Sequence, residues 1–501
     1  MVMDLRRETR LAVVGLSLLV LELFLGSPNF VNANAVFRVQ HKFGAGGGDR
    51  ERRLSSFKAH DVRRHQGRVL AADIPLGGDG SPTATALYYT RIGIGSPSQS
   101  YYVQVDTGSD ILWVNCAGCT KCPKTSDLGV ELRLYDPTSS STSKEVTCDQ
   151  EFCSVVFGDA LGECKVGSSC PYTVTYGDGS STAGYFVKDI VQLDKPSGNL
   201  QTTILNGSVS FGCASKQSGQ LGSTSEALDG IVGFGQSNSS MISQLSLAGK
   251  VKKIFAHCLD GDLGGGIFAI GEVVQPKVNS TPIIPNQQHY NVKLKGIEVD
   301  KTPIKLTHSL FGSPDRGAIV DSGTTLAYLP DEIFNPLMAQ ILDGKSDLKF
   351  MHVDDQFTCF TYSTDVDEGF PPVKLTFDQE LTMTVYPRDY LFRVRDDTWC
   401  FGWMNSGIEN KDGQEMLLLG DMVLANKLVL YDLENQTIGW TDYNCSQPIK
   451  IKDEETGGIY DVGYHILSSG DVVASGWLVM MLSFSLVAFL VHNFDYNELL
   501  V

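Results

Sequence analysis

Positive charge is scarce in this chain of 501 residues. Lysine and arginine together number 40, against 58 aspartates and glutamates, so the formal net charge is −18. Proteins that bind nucleic acid need lysine and arginine to neutralise phosphates, so this balance argues against a nucleic-acid partner. Collagen, coiled-coil and disordered chains are excluded as well, because 42% of the residues are hydrophobic and the composition fits none of those classes.

Several common catalytic motifs are also missing. The sequence contains neither the H-E-x-x-H pattern of zinc proteases nor the G-x-S-x-G turn of serine hydrolases. Gly93-Ile94-Gly95 lacks the third glycine and the following helix of a dinucleotide-binding loop. His257 is predicted to be a packed core residue. The sequence therefore predicts no metal ion and no cofactor.

Long helical patterns are few, whereas glycine is plentiful at 51 residues. Between about residues 72 and 448, short segments rich in β-branched and aromatic residues alternate with turn residues, as in 87–94 and 101–105. The best helical patterns lie at 241–247 and 330–342. The sequence therefore predicts a mainly β body.

The N-terminal 35 residues have the layout of a secretory signal peptide. Arginines at positions 6, 7 and 10 precede an apolar run over 11–26, and Ala33-Asn34-Ala35 fits a cleavage site. Residues 36–71 are rich in arginine, histidine and glycine and show little apolar periodicity. We interpret this basic stretch as a removable pro-segment held to an acidic body by charge.

The C-terminus carries an apolar run over 472–491 that has no charged residue and is long enough to cross a bilayer. One interpretation is a single spanning helix, although the tail 492–501 contains no lysine or arginine. The other is a removed GPI signal with small residues at 468–470, which the sequence favours slightly. Residues 449–470 are then a linker and 471–501 the anchor, at the extracellular face of the plasma membrane.

Cysteines and sequons indicate an oxidising, glycosylating compartment. The even number of cysteines, 12, predicts six disulfides. The C-x-x-C-x-x-C spacing at 116–122 would suit a metal site only in a reducing compartment. The cysteines are Cys116, Cys119, Cys122, Cys148, Cys153, Cys164, Cys170, Cys213, Cys258, Cys359, Cys400 and Cys445. The predicted glycosylation sites are Asn206, Asn238, Asn279, Asn435 and Asn444.

One pattern occurs twice and divides the body into two related halves. In each copy an apolar strand leads into an aspartate, a small hydroxyl residue and a glycine. Two apolar residues before a glycine form a second shared element further along. The first copy has Asp106-Thr107-Gly108-Ser109 with Gly230-Ile231-Val232-Gly233, and the second has Asp321-Ser322-Gly323-Thr324 with Leu417-Leu418-Leu419-Gly420.

Paired carboxylates of this kind are suited to acid–base chemistry. If the two turns meet on a pseudo-twofold axis, Asp106 and Asp321 face each other and share one proton, because two like charges about 3 Å apart do not both ionise. One carboxylate then deprotonates a water while the other protonates a peptide carbonyl oxygen. Glycine lets the backbone come close, and the hydroxyl residue after each aspartate is placed to hydrogen-bond across the axis.

The motifs identify the chain as similar to the pepsin-like aspartic proteases, in particular their plant, nepenthesin-like branch. The resemblance covers residues 80–448 and implies a mainly β, bilobal fold with the active site between lobes 72–280 and 281–448. It implies that Ser109 and Thr324 support the outer carboxylate oxygens. Thr107, Gly108, Ser322 and Gly323 complete the support of the dyad.

The resemblance also assigns a flap over the cleft, with Tyr176 at its tip followed by Gly177 and Asp178, and with Trp113 bracing the tyrosine. By the same resemblance Cys359 pairs with Cys400 and Cys258 with Cys445, with further disulfides inside a cysteine-rich insert at 116–170. Polypeptides are the implied substrates, and the protein is expected to be monomeric.

Three functions remain open from the sequence. A cell-adhesion or structural glycoprotein would explain the anchor and the sequons but leaves the two aspartate motifs unexplained, so the other two carry more weight. The favoured one is an acid-active, membrane-attached aspartic endopeptidase made as a zymogen. The alternative is a catalytically silent binding protein on the same fold, such as an inhibitor of cell-wall enzymes. Both aspartate motifs are intact, which favours the enzyme.

Overall fold

The computed structural model describes residues 70–83, 86–157, 164–222, 226–305, 317–354, 356–405 and 417–463. The predicted signal peptide, most of the pro-segment and the C-terminal anchor lie outside these residues. Within the described ranges, no helix combines the length and the apolar character that a membrane span requires.

Strands dominate, as the sequence predicts. In the first part of the described chain they are β1 Ala72–Asp79, β2 Leu87–Ile94, β3 Gln99–Asp106, β4 Trp113–Thr120, β5 Lys144–Glu145, β6 Pro171–Thr175, β7 Ser181–Gly198, β8 Gln201–Ser218, β9 Gly230–Gly233, β10 Ile254–Leu259, β11 Gly266–Ile270, β12 Glu272–Gln275 and β13 Asn279–Pro282. The later ones are β14 Asn291–Val292, β15 Leu294–Val299, β16 Thr302–Pro303, β17 Ala318–Val320, β18 Ala327–Leu329, β19 Phe350–Val353, β20 Phe357–Thr361, β21 Val373–Phe377, β22 Thr382–Val385, β23 Leu391–Arg395, β24 Thr398–Phe401, β25 Trp403–Asn405, β26 Leu417–Leu419, β27 Lys427–Asp432, β28 Thr437–Asp442, β29 Ile449–Lys452 and β30 Ile459–Val462.

Helices are short and lie between strands. The α-helices of the described ranges are α1 Glu151–Phe157, α2 Met241–Leu247, α3 Asp331–Ile341, α4 Val366–Gly369 and α5 Asp421–Leu424, and the 3-10 turns are Pro137–Ser139, Gly219–Gly222, Asp378–Glu380 and Pro387–Asp389. Both segments with predicted helical patterns are confirmed, as α2 and α3. In α2 the Ser240 side chain caps the helix by accepting the Ser243 N–H.

The two halves are built alike around their aspartates. In the first half, β3 runs parallel to β9, β4 pairs antiparallel to β9, and β4 runs parallel to β8. In the second half, β17, β26, β18 and β25 repeat this arrangement in the same senses. The mainly β, bilobal pepsin-like fold predicted from the twin motifs is thereby confirmed, with both shared apolar–glycine elements running beside the aspartate strands.

A shared sheet joins the halves. Among the described residues, fourteen strands pair into one sheet, in which β27 and β28 of the second half pair through β10 and β11 with β1, β2 and β3 of the first. Buried aromatic rings fill the space behind it. Phe255 stacks on Tyr431 at 4.5 Å, and Phe234 packs on Phe268 at 4.5 Å. Phe234 connects this layer to the first aspartate turn, because its N–H donates to the Asp106 carbonyl at 2.7 Å.

Six disulfides are present, as predicted, and both pairings expected from the resemblance are confirmed. The bonds are Cys116–Cys213, Cys119–Cys122, Cys148–Cys164, Cys153–Cys170, Cys258–Cys445 and Cys359–Cys400. Three of them close within the insert at 116–170. Cys116 instead pairs outside the insert with Cys213, because β4 and β8 run side by side there.

The predicted linker at 449–470 is wrong over its described part. Residues 449–462 form the hairpin β29–β30, which pairs with β12. Ile449, Ile451 and Val462 are fully buried against the shared sheet. Lys195 and Lys252, from the first half, bind the acidic turn of the hairpin at 2.7 and 2.6 Å. The alternating apolar residues of this hairpin bury one face against the shared sheet, so the hairpin is part of the folded body.

Shortening one buried side chain tests whether this hairpin is part of the folded body. Ile451 is 0% exposed, and Ile451→Ala should lower the free energy of unfolding by about 2–4 kcal/mol through lost burial and a cavity. Ile459, in the same hairpin, is 53% exposed, and Ile459→Ala is the matched control, expected within about 0.5 kcal/mol of wild type. Urea unfolding followed by tryptophan fluorescence measures both. Equal, small changes would mean that the hairpin adds nothing to stability.

Candidate active site

Asp106 stands at the end of a buried strand. Val103 and Val105 anchor β3 in the core, and Asp106 pairs with Gly233 of β9 at the strand's last position. The Phe234 N–H donates to the Asp106 carbonyl at 2.7 Å and fixes the backbone there. Asp106 as a whole residue is only 6% exposed. The apolar strand thus ends in an acidic side chain that is largely shielded from solvent.

Asp321 is delivered in the same way in the second half. It follows the three buried residues of β17, and its N–H donates to the Leu419 carbonyl of β26 at 3.1 Å. It is 7% exposed. The two aspartates therefore have equivalent positions in the two halves.

The glycines show that the two turns meet. A Cβ atom placed on Gly108 would lie 2.6 Å from both carboxylate oxygens of Asp321. One placed on Gly323 would lie 2.0 Å from Oδ1 of Asp106. Each glycine thus packs directly against the carboxylate of the other half. A side chain at either glycine position would push that carboxylate away.

Each carboxylate is held by its own turn. The Gly108 N–H donates to Asp106 Oδ1 at 2.8 Å, and the Ser109 hydroxyl donates to Oδ2. In the second half the Gly323 N–H and the Thr324 hydroxyl make the matching bonds to Asp321, both at 2.8 Å. Ser109 and Thr324 thus each donate to the carboxylate of their own turn.

The bond across the axis is made on one side only. The Ser322 N–H donates to the Thr107 hydroxyl oxygen at 2.8 Å and ties the two turns together. The Ser322 hydroxyl is buried and has no hydrogen-bond partner among the described residues. The sequence led us to expect both hydroxyls to bond across the axis. The two halves differ at this point, although their motifs match.

Burial and mutual repulsion set the charge of the pair. Burial, followed by the charge of Asp321, raises the pKa of Asp106 to about 7, against the opposing effect of the Ser109 and Gly108 hydrogen bonds. A proton therefore stays on the pair throughout the acid range. One protonated and one ionised carboxyl group can act as general acid and general base on a single bound molecule.

A third buried carboxylate, Asp421, was not predicted. It begins α5 directly after Gly420, and its N–H donates to the Thr324 carbonyl at 2.7 Å. Burial, and then the charges of Asp321 and Asp106, raise its pKa well above the usual range. Its position next to the second shared element was the signal in the sequence, but only the fold shows that it lies near the dyad.

The proposed flap residues lie at the turn between β6 and β7. The Trp113 indole N–H donates to the Tyr176 hydroxyl at 2.7 Å, so these two predicted partners do meet. Burial, followed by the charge of Asp106, raises the pKa of Tyr176. Gly177 and Asp178 are exposed at the tip, where Asp178 accepts the Ser180 N–H at 2.9 Å.

Other predicted sites lie away from the cleft chemistry. The sulfur atoms of Cys148, Cys153 and Cys164 lie close together, but all three belong to disulfides and so offer no thiolate to a metal ion. The five predicted glycosylation sites, Asn206, Asn238, Asn279, Asn435 and Asn444, are all exposed and accessible to modification.

Comparison with known proteins agrees with this geometry. The family model described as "Xylanase inhibitor N-terminal" matches residues 88–272, and the one described as "Xylanase inhibitor C-terminal" matches residues 289–442. Aspartic proteinase 36 of Arabidopsis thaliana is 50% identical over 466 residues, covering 93% of this chain and 95% of that protein. Aspartic proteinase 39 of the same plant is 47% identical over 467 residues, covering 93% and 94%.

Solved structures share the architecture at lower identity. The crystal structure of edgp has a TM-score of 0.61 and 20% sequence identity, covering 75% of this chain and 96% of that one. At that identity the likeness supports the fold alone. The matched family models, the extended identity to plant aspartic proteinases and the paired aspartate turns lead to one conclusion: the chain belongs to the plant branch of the pepsin-like aspartic protease family.

Proposed function

We propose that this protein is an active aspartic endopeptidase that hydrolyses peptide bonds with Asp106 and Asp321. The observation that carries the proposal is the reciprocal packing of Gly108 and Gly323 against the opposite carboxylates. That packing leaves no room for side chains between the aspartates and gives both groups access to one bound water. Each carboxylate also keeps its own N–H and hydroxyl donors.

The reaction follows from a pair that holds one proton. The ionised carboxylate removes a proton from the water, whose oxygen attacks the carbonyl carbon of the substrate, while the protonated carboxyl gives its proton to the carbonyl oxygen. A tetrahedral diol forms. Its collapse breaks the C–N bond as a proton passes to the leaving nitrogen, and the pair returns to its one-proton state. No covalent enzyme intermediate is needed.

The surrounding segments extend the proposal to the protein's route and location. A signal peptide over 1–35, a pro-segment over 36–71 and a C-terminal anchor, preferably of the GPI type, would give a zymogen attached to the outer face of the plasma membrane. The six disulfides and the five exposed sequons suit that oxidising route. Substrates are extended polypeptides that fit the cleft.

The alternative is a binding protein without catalytic activity. The matched family models are described as xylanase inhibitors, and this description supports the alternative. It differs from the enzyme in one respect that is easily tested. An inhibitor has no use for a protonated carboxylate pair, so removing one carboxylate should leave its binding intact. The protease loses its function by the same change.

Removing either carboxylate tests the proposal directly. Asp106→Asn and Asp321→Asn should each reduce cleavage of a denatured protein by at least about 10³-fold, because neither acid–base role can be filled by an amide. The assay is run between about pH 3 and 6 on mature protein, with and without pepstatin. Asp347→Asn, at an exposed position away from the flap and the dyad, is a matched control that keeps both aspartates. Cleavage that survives in both dyad variants, or no cleavage by folded mature wild type, would contradict the proposal.

The pKa of Asp106 sets the alkaline limit of activity. Since burial and Asp321 raise that pKa to about 7, the pair keeps its proton below that pH and loses it above. We expect kcat/KM to fall as pH rises through this region. A pH–rate profile measured with a short peptide substrate locates this alkaline limb, the pH range over which kcat/KM falls. An unchanged rate well above pH 8 would show that the shared proton is not used.

Ser109 offers a way to move that limit. Its hydroxyl stabilises the ionised form of Asp106, so Ser109→Ala should raise the pKa of Asp106 further and shift the alkaline limb to higher pH. Ser109→Thr keeps the hydroxyl and serves as the control. A limb that moves to lower pH in the alanine variant would contradict this account of the hydrogen bond.

A further inference from the structure

β7 and β8 form one long ribbon that runs from the flap to a distant turn. The two strands pair along their whole length, from Ser181 opposite Ser218 to Gly198 opposite Gln201, and the flap turn directly precedes Ser181. Residues 201 and 218 are 17 positions apart, which is about 56 Å along the strand at about 3.3 Å per residue. Two shifts of register bend the ribbon, so this length is an upper limit on the straight distance. The turn at 199–200 is the end of the ribbon that is remote from the flap.

The C-terminal hairpin ends at this remote turn. The Leu200 N–H donates to the Asp461 carbonyl at 2.8 Å, and the Asp461 N–H donates to Asn199 Oδ1 at 3.1 Å. A Cβ atom placed on Gly463 would lie 2.5 Å from Cδ2 of Leu200. Residue 463 is the last described residue, so the described chain ends against the tip of the ribbon.

Only a short connection separates this point from the C-terminal apolar run. The run begins at 472, so the eight residues 464–471 are the whole connection to a spanning helix, and a GPI attachment at 468–470 would shorten it. Eight residues reach at most about 29 Å when they are fully extended. Either kind of anchor therefore keeps the tip of the ribbon within about 29 Å of the bilayer.

Leu200 has the properties of a contact residue at this tip. It is 56% exposed although it is apolar, and Ile204, further along β8, is exposed as well. Its φ of +54° lies in the left-handed region, which glycine and asparagine adopt far more readily than leucine. The fold itself gains nothing from an exposed leucine in a strained turn. A lipid surface that covers the tip would bury this side chain.

A cavity lined partly by lysines lies in line with the tip. Strand pairing places Gln275 opposite Lys450 and Lys450 opposite Asp461, so a row of residues leads from β12 across the hairpin to Leu200. Neighbouring strands are about 4.8 Å apart, so the row is roughly 14 Å long. The cavity, of about 440 Å³, is lined by Val274, Pro276, Lys277, Tyr443, Pro448 and Lys450. Tyrosine and lysine beside apolar residues suit the headgroup region of a bilayer, where lipid phosphates meet apolar chains.

We propose that the tip of the β7–β8 ribbon, with this cavity beside it, is the face that rests on the headgroups of the bilayer that holds the anchor. The flap and the cleft then lie at the other end of the ribbon, directed away from the lipid. The substrates within reach are polypeptide segments that stand well above the bilayer, and segments next to the lipid are out of reach. The inference rests on the proposed function, since it takes the anchor and the protease from there.

Two added cysteines at the ends of β8 test the orientation. No native cysteine is free, so a maleimide dye labels only the added thiol, at Gln201→Cys beside the tip or at Ser218→Cys beside the flap, both exposed positions. The full chain is purified with its anchor from eukaryotic cells and reconstituted into phosphatidylcholine vesicles that contain a lipid-bound acceptor dye. Energy transfer from position 201 should exceed that from position 218 at least about threefold, because residue 218 lies up to about 56 Å further along the strand. Equal transfer from both positions, or more from 218, would overturn the orientation.

Leu200→Gly tests whether the tip itself contacts lipid. Glycine adopts the left-handed backbone without strain, so the fold is kept and only the apolar side chain is lost. Transfer from position 201 should fall at least about twofold, because the tip loses its apolar contact with the bilayer. Leu263→Gly is the matched control: Leu263 is 70% exposed in the turn before β11, and its loss should leave the transfer unchanged. The contact is refuted if Leu200→Gly transfers as wild type does, or if both variants fall equally.

Two lipid-tethered peptides test the consequence for substrates. Each carries the same cleavage site on a Gly/Ser linker of about 5 or about 60 residues, with r.m.s. lengths of about 12 and about 43 Å. On vesicles, the anchored enzyme should cleave the long-linker peptide at least about tenfold faster, because the short linker does not span the distance to the cleft. In detergent it should cleave both at similar rates. Equal rates on vesicles would contradict a cleft directed away from the bilayer.

These measurements separate the inference from the proposed function. Energy transfer needs no catalysis, so an inactive wild type contradicts the protease alone and leaves the transfer to decide the orientation. Flotation of the full chain with the vesicles reports the anchor by itself. A chain that floats but transfers equally from 201 and 218 overturns the orientation only. A chain that does not float overturns the anchor and, with it, the orientation.

Discussion

Two carboxylates held side by side, away from most of the solvent, are the constraint around which this molecule is organised. Their repulsion is relieved by sharing a proton, and their closeness requires a glycine of each half against the carboxylate of the other. The hydrogen bonds and the strand packing around the two aspartates maintain that closeness. The local N–H and hydroxyl donors satisfy the oxygens, and the two buried strands keep the backbone from yielding.

The shared sheet converts this local constraint into a property of the whole fold. Because β10 and β27 come from different halves and pair directly, the stacked rings of Phe255 and Tyr431 belong to one continuous layer. Tyr431 and His257 stand in that layer, where their side chains meet at 3.1 Å and join the two halves. The C-terminal hairpin closes the outer side of the same sheet and is therefore a part of the body.

Matching motifs do not make the two halves chemically equal. Thr107 makes the bond across the axis, whereas the Ser322 hydroxyl has no partner in the described part of the chain. Phe234 follows the glycine of the first shared element, whereas Asp421 follows that of the second and adds a third buried carboxylate near the pair. Such differences give the two aspartates different surroundings, which is what a catalyst with one acid and one base requires.

The sequence by itself determined the mainly β class, the two halves, the aspartate turns and the number of disulfides, while two of the disulfide pairings came from its resemblance to a known family. Those features leave local patterns, such as an apolar strand ending in Asp-Thr-Gly or an even number of cysteines in a secretory chain. It misassigned 449–462 as a linker, because only the tertiary structure shows that Ile449, Ile451 and Val462 have a core face to cover. Only the tertiary structure decided that Cys116 meets Cys213, that Asp421 lies near the dyad, and that Tyr431 of one half contacts His257 of the other. These contacts join residues far apart in the chain, and their geometry is set by how the sheets pair and pack.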